Sequence, residues 1–318
     1  MKYFECTANG LVESNESSGQ IVIASAPDEQ ERELIKKQFR LDDYDLGSTL
    51  DADEVPRLEI SNGRLLLIWK VPLSATVSET VELGIITMGI CLTQERLAFV
   101  RASGDVGLAD REFRSVSSPR DVMLALLLRT VRHFVGHLRA IRQISKELEK
   151  KITVSMENKH LLQMFSLSED LVYYQDAIEG NAAVISKLRA VAGQFGFDPR
   201  QLELLDDIVL ENNQAARQAS IFASVLSGLM DARGTIVNNN MNVLLKNLTL
   251  INIVFLPLNL IASIGGMSEW SMMTEGLDWR LSYFLFSLGM VALGWATWIF
   301  MKKVINRDEL RNHPKRGR

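Results

Sequence analysis

The chain is short of the residues that would cross-link it or hold a metal cluster. Its 318 residues include only 2 cysteines and 4 histidines. Cys6 and Cys91 stand far apart without metal-type spacing, which excludes a disulfide framework and points to a reducing compartment. There are 7 prolines, and none lies between Pro199 and Pro257. Residues 1–245 contain no apolar run long enough to cross a bilayer. By contrast, charge is missing from Asn247 to Ser268 and again from Leu281 to Met301. Each run has about the 20 residues an α-helix needs to cross ~30 Å of hydrocarbon. A purely soluble enzyme is excluded, and the expected plan is a large soluble region followed by two C-terminal spans.

Chemistry-bearing motifs are also scarce. The stretch Ser103–Gly107 has too few glycines in the right places for a dinucleotide loop, and no P-loop occurs. No nucleophile and base stand together, so the chain is not read as an enzyme. The soluble part has no basic domain, which argues against nucleic acid as a partner.

The net charge of −4 divides unevenly. After Met301 seven basic residues meet two acids, a balance of +5. Between the spans Glu269, Glu275 and Asp278 meet Arg280, a balance of −2, which leaves −7 for residues 1–267. Basic flanks stay on the cytoplasmic side, so the tail is expected inside and the acidic loop outside. The N-terminus shows no basic region leading into an apolar one, and two crossings return the chain to its starting side. Both termini are therefore expected in the cytoplasm, with the protein in a cell inner membrane.

Residues 1–117 read as a mixed α/β head. Arg64–Leu73, Leu83–Thr93 and Arg96–Ala102 are short aliphatic and β-branched runs bounded by turn formers. Asp28–Arg40 reads as an amphipathic helix. After Ser118 the period turns helical. Ser118, Pro119 and Asp121 supply a cap, a first-turn proline and a first-turn acid. That helix is expected to reach about Lys151, and a second to run from Met156 to Phe195. Asp198-Pro199-Arg200-Gln201 is a capping box opening a third, which can continue to about Met267, some 100 Å at 1.5 Å per residue. The segments are then a head (1–117), a helical hairpin and long stalk helix (118–245), a membrane domain (246–301) and a basic tail (302–318). Within the membrane domain the spans fall at about 247–267 and 281–301, joined by an outer loop at 268–280.

The first span is not uniformly apolar. Asn242, Leu245, Thr249, Asn252, Leu256, Asn259 and Ser263 recur every three or four residues and share one face. Polar groups inside a span face a protein interior or a water-filled path. Two readings stay open: hydrogen-bonded glue between packed helices, or the lining of a pore. Two spans cannot enclose water, so a pore requires a ring of identical chains. Uncharged amide and carbonyl oxygens suit a cation that keeps most of its water, as Mg²⁺ does.

The segment from Asn242 to Met267, with its acidic loop, second span and basic tail, resembles the CorA family of divalent-cation channels. The family's Lys-x-Leu-Thr motif, mid-span proline and Gly-Met-Asn signature correspond here to Lys246, Leu248, Thr249, Pro257, Gly266 and Met267. The resemblance implies an α+β cytoplasmic head with a long helical stalk and two C-terminal transmembrane helices, a CorA-like funnel assembled as a homopentamer. It implies a pore lined by Asn242, Leu245, Leu248, Thr249, Leu256, Asn259, Ser263 and Gly266, with Leu245 and Leu248 forming a hydrophobic constriction. Gly266, Met267, Ser268 and Glu269 would form the selectivity mouth. The family's signature asparagine is replaced by Ser268, and Glu269 adds a charge, so the family's zinc-transporting, proton-coupled branch stands beside the Mg²⁺ reading. Asp207 and Asp231 fall where the family senses regulatory Mg²⁺, with Asp206 and Glu203 nearby. No tightly bound cofactor is implied. The partners are divalent cations, the lipid bilayer and further copies of the chain. A different class remains as well, a membrane-anchored scaffold or signalling protein that does not conduct.

His133 and His137 are four residues apart, the spacing of a two-histidine metal pair. No carboxylate or thiol stands at the right interval, and four arginines surround them, so a solvated basic face is expected.

Overall fold

The computed structural model describes the chain apart from residues 8–9, 16–17, 62, 74–75, 78–80, 109–112, 114–115, 155–157, 274–275, 277 and 313–318. It divides into two compact units, Met1–Asp231 and Ala232–Arg318.

The first unit is built on a seven-stranded sheet. Its strands in chain order are β1 (Lys2–Thr7), β2 (Gly10–Ser14), β3 (Ile21–Ser25), β4 (Arg57–Ser61), β5 (Arg64–Pro72), β8 (Ile85–Leu92) and β9 (Leu97–Arg101). A separate short ribbon pairs β6 (Thr76–Val77) with β7 (Val81–Glu82). The sheet order is β2-β1-β3-β9-β8-β5-β4. Every pairing is antiparallel except β3 with β9. The expected tight hairpin joins β8 to β9, closed by Thr93 N–H donating to the Arg96 carbonyl at 2.9 Å. The three expected apolar runs are the strands β5, β8 and β9.

Period-two alternation splits the sheet's side chains between two cores. Val22, Ala24, Leu66, Cys91, Ala98 and Val100 pack against α1 (Glu29–Phe39) and α2 (Asp43–Leu50). Ile21, Ile23, Leu65, Leu67, Trp69, Ile90, Leu97 and Phe99 point the other way. They meet Val122–Leu128 of α3 (Pro119–Val154), Val184, Ile185 and Leu188 of α4 (Asn158–Val191), and Leu205 and Ile208 of α5 (Pro199–Gly265). Beyond the sheet, the three helices form a core of their own through Phe134, Leu138, Leu171, Tyr174, Ala215 and Ala219.

The capping signals operate as their spacing predicts. Asp28 and Glu31 close a capping box on α1. On α5, Gln201 N–H donates to Asp198 Oδ1 at 2.7 Å, and Asp198 N–H donates to Gln201 Oε1 at 3.0 Å. The two helix starts are also tied together, since Gln201 Nε2 donates to Asp121 Oδ1 at 2.7 Å. Burial alone would raise the Asp121 pKa, but hydrogen bonds from Gln201, Ser117 and Ser118 outweigh it and hold the carboxyl below its usual range. Between α4 and α5 the chain makes a 3-10 turn, Ala192–Phe195, ended by Gly196 at φ 72°. Only glycine takes that conformation without strain.

Asn181 of α4 is fully buried. Its Oδ1 accepts from Lys70 N at 3.0 Å, and its Nδ2 donates to the Lys70 carbonyl at 2.8 Å. Pairing between β4 and β5 ends at Arg57 and Ile68, so the amide supplies the hydrogen bonds that a further β4 residue would have made.

Candidate ion pathway and cation sites

The second unit contains the C-terminal part of α5, a short helix α6 (Ser268–Met273) and α7 (Trp279–Asn312). α5 and α7 are each long and apolar enough to cross a membrane, and neither apolar window is buried within the chain. A soluble core helix would bury that window, so this surface requires lipid or other subunits. Trp279 and Tyr283 sit exposed at one end of the α7 apolar stretch and Trp298 at the other. The separation is about 28 Å at 1.5 Å per residue, close to the hydrocarbon thickness.

Within this unit the two helices touch along one narrow row each. On α5 the half-buried positions are Leu250, Val254, Pro257, Leu258, Ile261 and Gly265. On α7 they are Phe286, Met290, Gly294 and Thr297, with Ser282 buried. Small residues make the close contacts: Phe286 lies against Gly265 and Leu258 against Gly294. That is how membrane helices pack, because glycine lets backbones approach.

Asn242, Leu245, Leu248, Thr249, Asn252, Leu256, Asn259, Ser263 and Gly266 are all exposed. At about 100° per residue, this row lies roughly half a turn around α5 from the row that meets α7. The expected stripe is thus brought to one face, turned away from the chain's own second span. Within one chain these amides cannot be glue between α5 and α7. Thr249 Oγ1 donates to the Leu245 carbonyl at 2.8 Å, so its hydrogen is spent inside the helix and its lone pairs remain outward. Pro257 lies inside the helix and leaves the Ile253 carbonyl without its usual N–H partner.

At the C-terminal end of α5, Gly266 N–H donates to the Ala262 carbonyl at 3.1 Å and Met267 N–H to the Ile264 carbonyl at 3.1 Å. The chain then turns directly into α6, a helix that the sequence signals did not reveal. Ser268 opens it and is exposed, as is Met267. The Glu269 side chain lies outside the described residues. Beyond α6, Asp278 Oδ1 accepts from Arg280 N at 3.1 Å, and the Arg280 guanidinium lies 5.3 Å from the Trp279 ring centre.

The candidate regulatory acids behave differently from one another. Asp206 binds Arg189 of α4 through two bonds of 2.6 and 3.0 Å, which holds its carboxyl below the usual range. That pairing gives it a structural partner. Asp207, Glu203 and Asp231 are exposed on α5. Asp207 and Asp231 are about 36 Å apart along the helix, so one chain does not bring them together. Among the described residues no group of three or more metal-ligating side chains occurs. A cavity of about 450 Å³ in the first unit is lined by Asp53, Asp176, Tyr173 and Lys70. The Lys70 ammonium donates to the Ala52 carbonyl at 2.6 Å and to Thr87 Oγ1 at 3.0 Å.

One expectation is corrected. His137 is not on a solvated face. It is buried, and its Nδ1 lies 2.6 Å from the Tyr174 hydroxyl of α4. Burial, and then the neighbouring His133, push its pKa down to about 4. The packing of α4 over α3 decides this, and no local pattern reports it.

Comparison with known proteins agrees with this architecture. A family model described as CorA-like Mg²⁺ transporter protein matches residues 17–303. The cobalt/magnesium transport protein CorA of Methanocaldococcus jannaschii is 24% identical over 250 residues, covering 76% of this chain and 77% of that protein. The complete structure of the CorA magnesium transporter from the same organism aligns with a TM-score of 0.76 at 18% identity, covering 94% of this chain and 96% of that one. The ZntB cytoplasmic domain from Vibrio parahaemolyticus aligns with a TM-score of 0.52 at 9% identity, covering 73% of this chain and 98% of that one. The two structural likenesses are ones of fold. The family match extends over most of the sequence, from the head through both spans, and the chain belongs to the CorA-like Mg²⁺ transporter family.

Proposed function

We propose that this chain forms a homopentameric channel of a bacterial inner membrane that passes hydrated divalent cations, with Mg²⁺ as the cargo. One observation carries the reading. The polar row of α5 lies opposite its own α7, so a single chain can satisfy it neither with protein nor, in lipid, with water. A ring of first spans turns that row onto a shared axis and gives the amides an aqueous path. The second spans then lie outside, facing lipid.

The lining would be Asn242, Leu245, Leu248, Thr249, Leu256, Asn259, Ser263 and Gly266. Leu245 and Leu248, both exposed, would form the constriction where loss of water closes the path. Acceptor oxygens without fixed charge suit Mg²⁺, which gives up its water reluctantly. Flux would be passive. A membrane potential of 100 mV contributes about 2.3 kcal/mol per charge, hence about 4.6 kcal/mol for a divalent ion. The basic tail and both termini would lie in the cytoplasm. Asp207 and Asp231 would bind regulatory Mg²⁺ between neighbouring subunits. Its loss would let like charges repel and the subunits splay. No catalytic residue is assigned.

A second reading rests on the mouth. Ser268 is a shorter acceptor than the family's asparagine, and Glu269 adds charge, a combination that would also admit Zn²⁺ driven by protons. Uptake into proteoliposomes holding the full chain separates the two. Mg²⁺ uptake driven by membrane potential alone supports the channel. Zn²⁺ uptake accelerated by an inward proton gradient supports the alternative. Uptake of neither ion leaves a non-conducting scaffold.

A further inference from the structure

We infer that Asn252 forms a second amide ring inside the pore, two helical turns from Asn259, and that it keeps the stretch between Leu248 and Leu256 wet for a hydrated divalent cation. The inference rests on the channel reading and adds a residue that the family resemblance did not supply. Three asparagines lie in the apolar part of α5. Asn247 is spaced three residues before Leu250 and continues the row that faces α7. Asn252 and Asn259 are both exposed on the opposite row. Their spacing of seven residues returns nearly to the same angle and separates them by about 10 Å. No hydrogen bond ties either amide to the rest of the chain among the described residues.

The neighbours on that row give Asn252 its weight. Leu245, Leu248 and Leu256 are apolar, and the Thr249 hydroxyl hydrogen is committed to the Leu245 carbonyl. Replacing the Asn252 amide by hydrocarbon would therefore leave no hydrogen-bond donor on the row from Leu245 to Leu256, about 16 Å of pore whose one remaining polar group is the Thr249 oxygen. A hydrophobic constriction of that length excludes water, and with it an ion that travels hydrated. With the amide in place, the dry segment is confined to Leu245 and Leu248, near one end. An amide ring can accept hydrogen bonds from the water shell of the ion and donate to waters that precede it. Two such rings hold the shell without stripping it, as the slow dehydration of Mg²⁺ requires.

The test compares full-length wild type with Asn252→Leu, Asn252→Ser and Asn252→Asp by Mg²⁺ uptake into proteoliposomes and by size exclusion. Asn252→Leu is expected to lower uptake about tenfold or more while the oligomer persists, because the constriction dries. Asn252→Ser is expected to recover only part of the uptake, since a hydroxyl there can bond the Leu248 carbonyl as Thr249 bonds that of Leu245 and then offers water its lone pairs alone. Asn252→Asp is expected to stay assembled and to conduct faster at low Mg²⁺, since a carboxylate ring in water attracts divalent cations. The inference is overturned if Asn252→Leu conducts as wild type does, or if Asn252→Asp falls apart, as a dry seam of amides would. If the wild type itself passes no divalent cation, the channel reading fails together with this one. A conducting wild type with an indifferent Asn252 removes only the second ring.

Discussion

The Phe286 ring lies directly over Gly265, so close that a Cβ at that glycine would come within 2.5 Å of the ring's Cζ. Among the described glycines of α5 and α7, none is as intolerant of an added carbon. A Cβ at Gly294 would meet Leu258 at 3.6 Å, an ordinary contact. Gly265→Val is therefore expected to push the two spans apart, to weaken the oligomer on size exclusion, and to lower cation uptake about tenfold or more. Gly294→Ala should leave both within about twofold. Partial recovery of Gly265→Val by Phe286→Ala would assign the effect to this one contact.

Asn259 lies mid-span on the row turned away from α7. Asn259→Leu is expected to suppress Mg²⁺ uptake about tenfold without changing the elution volume on size exclusion. Unchanged uptake would make Asn259 a packing residue between subunits.

The proposed mouth offers a test of cargo. Ser268→Asn restores the family's signature and should sharpen preference for Mg²⁺ over Zn²⁺. Glu269→Gln should lower uptake most at micromolar ion, where local attraction matters, and less at saturating ion. Competition among several divalent ions for one tracer flux reads both effects. Indifference of the competition series to Ser268→Asn would place selectivity elsewhere in the pore.

Asp207 and Asp206 are adjacent, but only Asp206 is shown tied to Arg189. If Asp207 binds regulatory Mg²⁺ as proposed, Asp207→Asn is expected to keep conducting at internal Mg²⁺ concentrations that lower wild-type flux. Asp206→Asn should alter that dependence little. Flux measured across a series of internal Mg²⁺ concentrations distinguishes them, and matching curves for Asp207→Asn and wild type would exclude Asp207 as a sensor.

The buried His137–Tyr174 pair predicts a pH dependence of stability. The His137 pKa falls from about 6.5 to about 4 on folding, so the folded state disfavours its proton. The stabilisation from neutral His137 is complete above pH 6.5 and is lost as pH falls toward 4, by about 3 kcal/mol at most. Thermal unfolding of the full chain in detergent should show Tm falling through this window. His137→Phe should lower Tm at neutral pH, because the Tyr174 hydroxyl loses its partner, and should flatten the slope. An equal slope in the variant would assign the pH effect to other groups.

Much of the architecture was legible because its signals are local. A capping box at Asp198–Gln201 depends on four consecutive residues, and an uncharged run of 22 residues from Asn247 to Ser268 needs no neighbours to declare itself. β5, β8 and β9 announce themselves by composition, being buried on both faces. The strands β1, β2 and β4 do not. Each is short, partly exposed and mixed in polarity, so only its pairing in the sheet makes it a strand. α2 was missed for a similar reason. Its eight residues contain Gly47, and the fold needs it to cover Gly89, where a Cβ would come within 2.2 Å of the Thr49 side chain.

Amino-acid order alone settles where this chain turns helical, which two segments can enter a membrane, and that one face of the first span carries amides, because each depends on spacing within a few turns of backbone. Tertiary structure alone decides that the amide face is turned away from α7, that Gln201 of one helix start bonds Asp121 of another, and that Asn181 completes the edge of a strand 111 residues away. Such relations join residues remote in sequence. They exist only once hydrophobic burial has paid the entropy of bringing those segments together.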